Sequence, residues 1–129
     1  MGPLLAERSA TINVAANAAA ASFAALTAKL DYMTAADVDS VRQAYRFADE
    51  AHLGQIRNSG EPYITHPIAV ARQCAEWKLD AQALMAALLH DAIEDCGVTK
   101  PELIERFGAS VADLVDGLTK LEKIGRAHV

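Results

Sequence analysis

A chain of 129 residues and 13.7 kDa has room for one domain with one core. Hydrophobic residues make up 52% and aromatics 5%, with alanine prominent, which favours closely packed helices, since strands draw on β-branched and aromatic residues. A net charge of -5 and a pI near 5.3 argue against broad electrostatic binding to nucleic acid, while an anionic small molecule stays open, because a metal and a few placed arginines can outweigh the balance locally.

Residues 1–18 are low in complexity and are expected to be poorly ordered. The alanine-rich run from Ile12 to Ala25 has no positive cluster before it, as a signal peptide requires. It also lacks the uninterrupted apolar length of a membrane span. Phe23, Leu26 and Leu30 recur at helical spacing and predict a first helix from Ala19 to Tyr32. Thr34, with Asp37 three residues on, resembles a capping arrangement. It opens a second helix to about Leu53 with Val38, Val41, Tyr45 and Ala48 as its buried stripe, stopped by Gly54.

The loop Gln55-Ile56-Arg57-Asn58-Ser59-Gly60-Glu61-Pro62-Tyr63 carries a cation, an amide and a hydroxyl. Most such loops are polar connectors, but mixed donors at this length can hold a ligand. Arg57 stands out, because a guanidinium stacks on a flat ring or forks onto phosphate oxygens. Thr65-His66-Pro67 opens the next helix, with proline in the first turn, where its missing N–H costs nothing. That helix presents Ile68, Val70, Ala71 and Cys74 to the core and ends near Trp77-Lys78.

Asp80 is the expected cap of a central helix to about Asp95, closed by Cys96-Gly97. Thr99 caps a short helix to Phe107, with Pro101 in its first turn and Gly108 as its stop. A last helix begins at Ser110 with Val111, Leu114, Val115, Leu118 and Leu121 in register, and Asp113 and Asp116 are expected on its solvated face. Ile124 to Val129 breaks the periodicity, so residues 125–129 read as a tail and His128 as a poor ligand candidate. No internal repeat or convincing strand pattern is present. Cys74 and Cys96 are too few for a disulfide framework and lack Cys-x-x-Cys spacing, which points to a reducing cytoplasm. Both read most simply as small packing residues.

The central helix carries the chemistry. At about 100° per residue, His90, Asp91, Glu94 and Asp95 fall within one arc of roughly 140°. Met85, Ala86, Leu88, Leu89, Ala92 and Ile93 fill the opposite arc as a core face. Ala83 and Ala87 lie one turn back on the polar arc, where small side chains leave a hollow beside the acids. Three clustered carboxylates repel one another, and they sit at the negative end of a helix dipole, which prefers cations. His, Asp and Glu together suit a divalent cation. The bland alternative is an acidic helix end. His66 and the His90-Asp91 pair form a His…His-Asp arrangement compatible with a metal-dependent phosphohydrolase.

Three segments carry a closer resemblance: Ala51 through Pro67, Ala86 through Asp95, and Phe107-Gly108 followed by Val115 through Leu121. In order and spacing they resemble the hydrolase domain of the RelA/SpoT homologues, nearest the SpoT-like bifunctional branch, over about residues 35–124. The resemblance implies an all-α HD-domain helical bundle, incomplete at the C-terminus, with residues 19–124 as the partial hydrolase domain. It implies Mn²⁺-dependent removal of the 3′-pyrophosphate from ppGpp and pppGpp, leaving GDP or GTP. By position, His66, His90 and Asp91 would be the metal ligands, and Glu94 and Asp95 would activate or order the attacking water. Arg57 would contact the guanine base, with Asn58 and Ser59 beside it. Asn58 stands where some relatives carry a basic residue. That family completes the metal site with an Asp, and the nucleotide pocket with an Asn, on a helix beyond residue 129. Synthetase and regulatory domains are expected downstream, and the fragment is expected to be weakly active. Two competing readings are an HD hydrolase of another nucleotide, such as a dNTP, and a catalytically silent regulatory helical module. The Arg57 loop matches the alarmone hydrolases more than HD domains in general.

Overall fold

The computed structural model describes residues 18–53, 55–56 and 60–127, the side chains of Glu94 and of residues 121–127 excepted. Within them the chain is helical: α1 (18–27), α2 (Ala35–Ala51), α3 (Thr65–Glu76), α4 (Ala81–Cys96), α5 (Lys100–Phe107) and α6 (Ala109–Ala127). No strand occurs among the described residues; the nearest approach to one is a single antiparallel bridge between Ile56 and Pro62. The all-helical expectation holds.

The helix ends follow from side-chain chemistry. Thr34, Asp80 and Thr99, all with extended backbone, accept from the backbone N–H three residues on: Asp37 at 3.1 Å, Ala83 at 2.9 Å and Glu102 at 3.4 Å. Each thereby satisfies a donor that the first turn leaves free. Gly97 closes α4 in the left-handed region at φ 72°, and its N–H donates to the Ala92 carbonyl. α3 departs from this rule. Its first turn has no side-chain cap, and the Thr65 hydroxyl instead donates to the Pro62 carbonyl at 2.7 Å. Because α4 carries the site, its cap has a measurable consequence. Asp80→Ala should lower stability by about 1 kcal/mol, seen as a lower urea midpoint with an unchanged slope.

α4 is the axis of the bundle, packed against α2, α3 and α6. Leu84 through Ala92 are all buried, so over this stretch the helix is enclosed on every side, and His90 and Asp91 of the expected polar arc lie in the core while Asp95 is exposed. Ala87, expected beside a hollow, is 2% exposed. Around α4 lie Leu26 of α1, Val41, Ala44 and Ala48 of α2, Ile68, Ala71 and Ala75 of α3, Leu103 of α5, and Val111, Ala112 and Val115 of α6. Alanine on facing helices lets the backbones approach, which explains how so few aromatics suffice. The ring stack of Phe23 on Tyr45, with centroids 4.0 Å apart, fastens α1 to α2.

Several boundaries differ from the sequence reading. α1 stops at residue 27 and not Tyr32, because Lys29 and Leu30 donate to Leu26 and Thr27, tightening the end into turns. Leu30 is still buried. In α2, Ala44 replaces Val38 in the fully buried stripe. In α3, Pro67 and Ala75 are buried, while Val70 and Cys74 lie at the margin of the core. In α6, Leu114 and Leu118 are exposed (44% and 38%), and the core stripe is Val111, Ala112 and Val115. Asp113 and Asp116 face outward as expected and bind Lys100 at 3.0 and 3.5 Å. The helix also continues to Ala127, through the stretch where periodicity was expected to end at Ile124. The low-complexity N-terminus through residue 17, Gly54 and His128 lie outside the described residues.

Candidate metal centre

His66 is the second residue of α3, and His90 and Asp91 stand in the last two turns of α4. The packing of α3 along α4 brings one donor atom of each within 4.8 Å of the others. Asp91 is the centre of the group. Its Oδ1 lies 3.2 Å from His90 Nε2, and its Oδ2 lies 3.8 Å from His66 Nε2. His90 and Asp91 are 7% and 5% exposed, whereas the His66 side chain is 40% exposed. Two donors are therefore built into the core, and the third closes the site from the solvent side.

The protonation of His90 follows from its partner. Nδ1 lies 2.7 Å from the Ala87 carbonyl, which can only accept, so Nδ1 donates. In the neutral ring, Nε2 then presents a lone pair toward the Asp91 oxygen. Two electron-rich atoms at 3.2 Å call for a positive charge between them. A carbonyl that orients the far nitrogen of a ligating histidine is a recurring outer partner of metal sites. Two imidazole nitrogens and a carboxylate form a donor set for a first-row divalent cation. These residues fit such an ion.

Around this group the structure adds residues that periodicity did not reveal. Tyr63 Oη donates to Asp95 Oδ2 at 2.9 Å and reaches Asp91 Oδ2 at 3.4 Å. Its ring stacks on His52, with centroids 4.7 Å apart and planes 24° apart, and stands edge-on to His66 at 6.2 Å. Burial first, then the Asp95 bond and the Asp91 charge, push the Tyr63 phenol far above its ordinary range, so it is a proton donor here. His52 is 3% exposed. Its Nδ1 lies 3.2 Å from both Gln55 Oε1 and Cys96 Sγ. Burial raises the Cys96 thiol; the Gln55 amide opposes this, and the charges of Asp95 and Asp91 add to it. Cys96 is thus part of a polar cluster and more than a packing residue.

The sequence-designated residues fall into three groups. His66, His90 and Asp91 converge. Asp95 is exposed on the same helix and joined to Asp91 through Tyr63. Arg57, Asn58, Ser59 and the Glu94 side chain lie outside the described residues. Tyr63, His52 and Gln55 were missed. The available signal was two aromatic rings flanking the polar loop, at the end of α2 and just before α3.

The chain is similar to known proteins over most of its length. Over 94 residues, 73% of this chain, it is 57% identical to a guanosine-3′,5′-bis(diphosphate) 3′-pyrophosphohydrolase of Vibrio cholerae. It is 55% identical over 93 residues to the bifunctional (p)ppGpp synthase/hydrolase SpoT of Escherichia coli. It is 48% identical over 94 residues to a probable GTP pyrophosphokinase of Mycobacterium leprae. The aligned part spans 13% of the first two proteins and 12% of the third. The model of the HD domain matches residues 44–128, a stretch that contains His66, His90 and Asp91 together with their Tyr63 and Ala87 partners. The chain belongs to the HD domain family.

Proposed function

We propose that this chain is the hydrolase module of an alarmone-metabolising enzyme, removing the 3′-pyrophosphate of ppGpp or pppGpp in a Mn²⁺-dependent reaction of the stringent response. The observation that carries the reading is the convergence of His66, His90 and Asp91 within 4.8 Å, in a stretch more than half identical to a 3′-pyrophosphohydrolase. His66, His90 and Asp91 would hold the ion. Bound there, the ion would polarise the phosphoryl group and make a nearby water more acidic. Water adds to the phosphorus next to the ribose 3′-oxygen, the bond to that oxygen breaks, and the 3′-oxygen takes up a proton. The products are pyrophosphate and GDP or GTP.

The chain's own residues have distinct parts in this scheme. Asp95, held by Tyr63 beside Asp91, and Glu94 order the attacking water and accept its proton. Arg57 stacks on the guanine, with Asn58 and Ser59 contacting the nucleotide nearby. Further domains, including a synthetase, accompany the module in the parent protein, as the 13% coverage of SpoT suits. No helix among the described residues is long and apolar enough to cross a membrane. Both cysteines are unpaired, which suits the cytoplasm.

The test is release of pyrophosphate from ppGpp by the longest native form of the protein, with Mn²⁺ and with a chelator. Metal-dependent release that stops in the Asp91→Asn variant is expected. Turnover of a dNTP in place of ppGpp would assign another nucleotide as substrate. Inactivity on both, with metal bound, would favour the silent regulatory module.

A further inference from the structure

We propose that Tyr63 is a positioning residue whose hydroxyl sets the orientation of Asp91 toward the cation and tethers Asp95 beside it; the proposal rests on reading His66, His90 and Asp91 as a divalent-cation site. Asp91 and Asp95 stand four residues apart on α4, so their carboxylates are neighbours on one face and repel. One donor shared between them offsets that repulsion. Tyr63 supplies it from outside the helix, at 2.9 Å to Asp95 and 3.4 Å to Asp91.

The phenol can set a geometry because Tyr63 is itself fixed. Its backbone N–H donates to the Gln55 carbonyl at 2.9 Å, and its carbonyl accepts from the His66 N–H at 3.0 Å. The same residue thus ties the ligand His66 to the ligand Asp91. Its ring lies against His52, a buried imidazole flanked in turn by Gln55 and Cys96. The end of α2, the segment before α3 and the last turns of α4 all meet at this ring. The hydroxyl is the one part of the side chain aimed at the carboxylates. Asp95, exposed, would otherwise sample several rotamers. Asp91 Oδ2, facing the half-exposed His66 at 3.8 Å, would lose its nearest hydrogen-bond donor among the described residues.

Tyr63→Phe isolates this role, because it keeps the ring on His52 and removes the oxygen alone. In the 129-residue chain, Mn²⁺ affinity measured by calorimetry should fall about 10-fold, the lower end of what an outer partner of a metal ligand contributes. The metal-free thermal midpoint should move by no more than a few degrees. In an Asp91→Asn background, the same change should cause no further loss of affinity. Unchanged affinity in Tyr63→Phe, while His90→Ala abolishes binding, overturns the proposal and leaves the cation site standing. A drop in the metal-free midpoint large enough to account for the lost affinity assigns Tyr63 a merely structural role and also overturns it. Absence of Mn²⁺ binding in the unmodified chain would overturn the cation-site reading, and this proposal with it.

Discussion

Truncating Leu88 to alanine is expected to lower stability by about 2–5 kcal/mol. Leu88 is 0% exposed and lies on the helix that α2, α3 and α6 all enclose. Removing its branched end forfeits the transfer free energy of the lost atoms and leaves a cavity that three helices can close only by shifting together. Total stability for a domain of this size is about 5–15 kcal/mol, so the variant should melt early or fail to fold at 37 °C. Leu118 is the control. It is the same residue type and 38% exposed on α6, so Leu118→Ala should cost no more than about 1 kcal/mol. Urea unfolding followed by helical circular dichroism measures both. Equal costs for the two leucines would show that α4 is not the enclosed centre of the bundle.

The same contrast shows what was legible in the sequence. Helix starts were readable because a cap is a local transaction: Thr34, Asp80 and Thr99 each bond a backbone group three residues away. The helix stops at Gly97 and Gly108 were readable because a positive φ, 72° and 92° here, favours glycine. The enclosure of α4 was not. Periodicity assigns His90 and Asp91 to a polar arc, and a polar arc ordinarily means solvent; burial of a carboxylate is tolerable when partners surround it, and two of the partners of Asp91, Tyr63 and His66, come from elsewhere in the chain. Tyr63 meets Asp91 and Asp95 across 28 and 32 residues, and His52 meets Cys96 across 44. No spacing rule reaches that far. Leu114 and Leu118 failed for the opposite reason. They fit the helical register, but α5 and α4 cover a narrower stripe of α6 than the leucines define.

His66, His90 and Asp91 could be grouped from the sequence through a resemblance, but their unequal exposure could not, and it makes the sharpest expected result. His90→Ala should weaken Mn²⁺ binding by more than about 100-fold, beyond the 10–100-fold typical of losing an outer partner. His90 is 7% exposed, its Nδ1–H is committed to the Ala87 carbonyl, and its Nε2 faces Asp91. Alanine removes that lone pair, and Asp91, 5% exposed, loses the ring nitrogen 3.2 Å from its Oδ1. His66→Ala should be milder, because the His66 side chain is 40% exposed and water can enter the vacated position. An ion bound there would also report through stability. At a free Mn²⁺ concentration of about 100 times Kd, the folded chain should gain about 2.7 kcal/mol. That gain should persist in part for His66→Ala at higher Mn²⁺ and vanish for His90→Ala. Thermal unfolding with and without Mn²⁺ separates the two. A midpoint that rises equally with Mn²⁺ in the unmodified chain and in His90→Ala would remove His90 from the site.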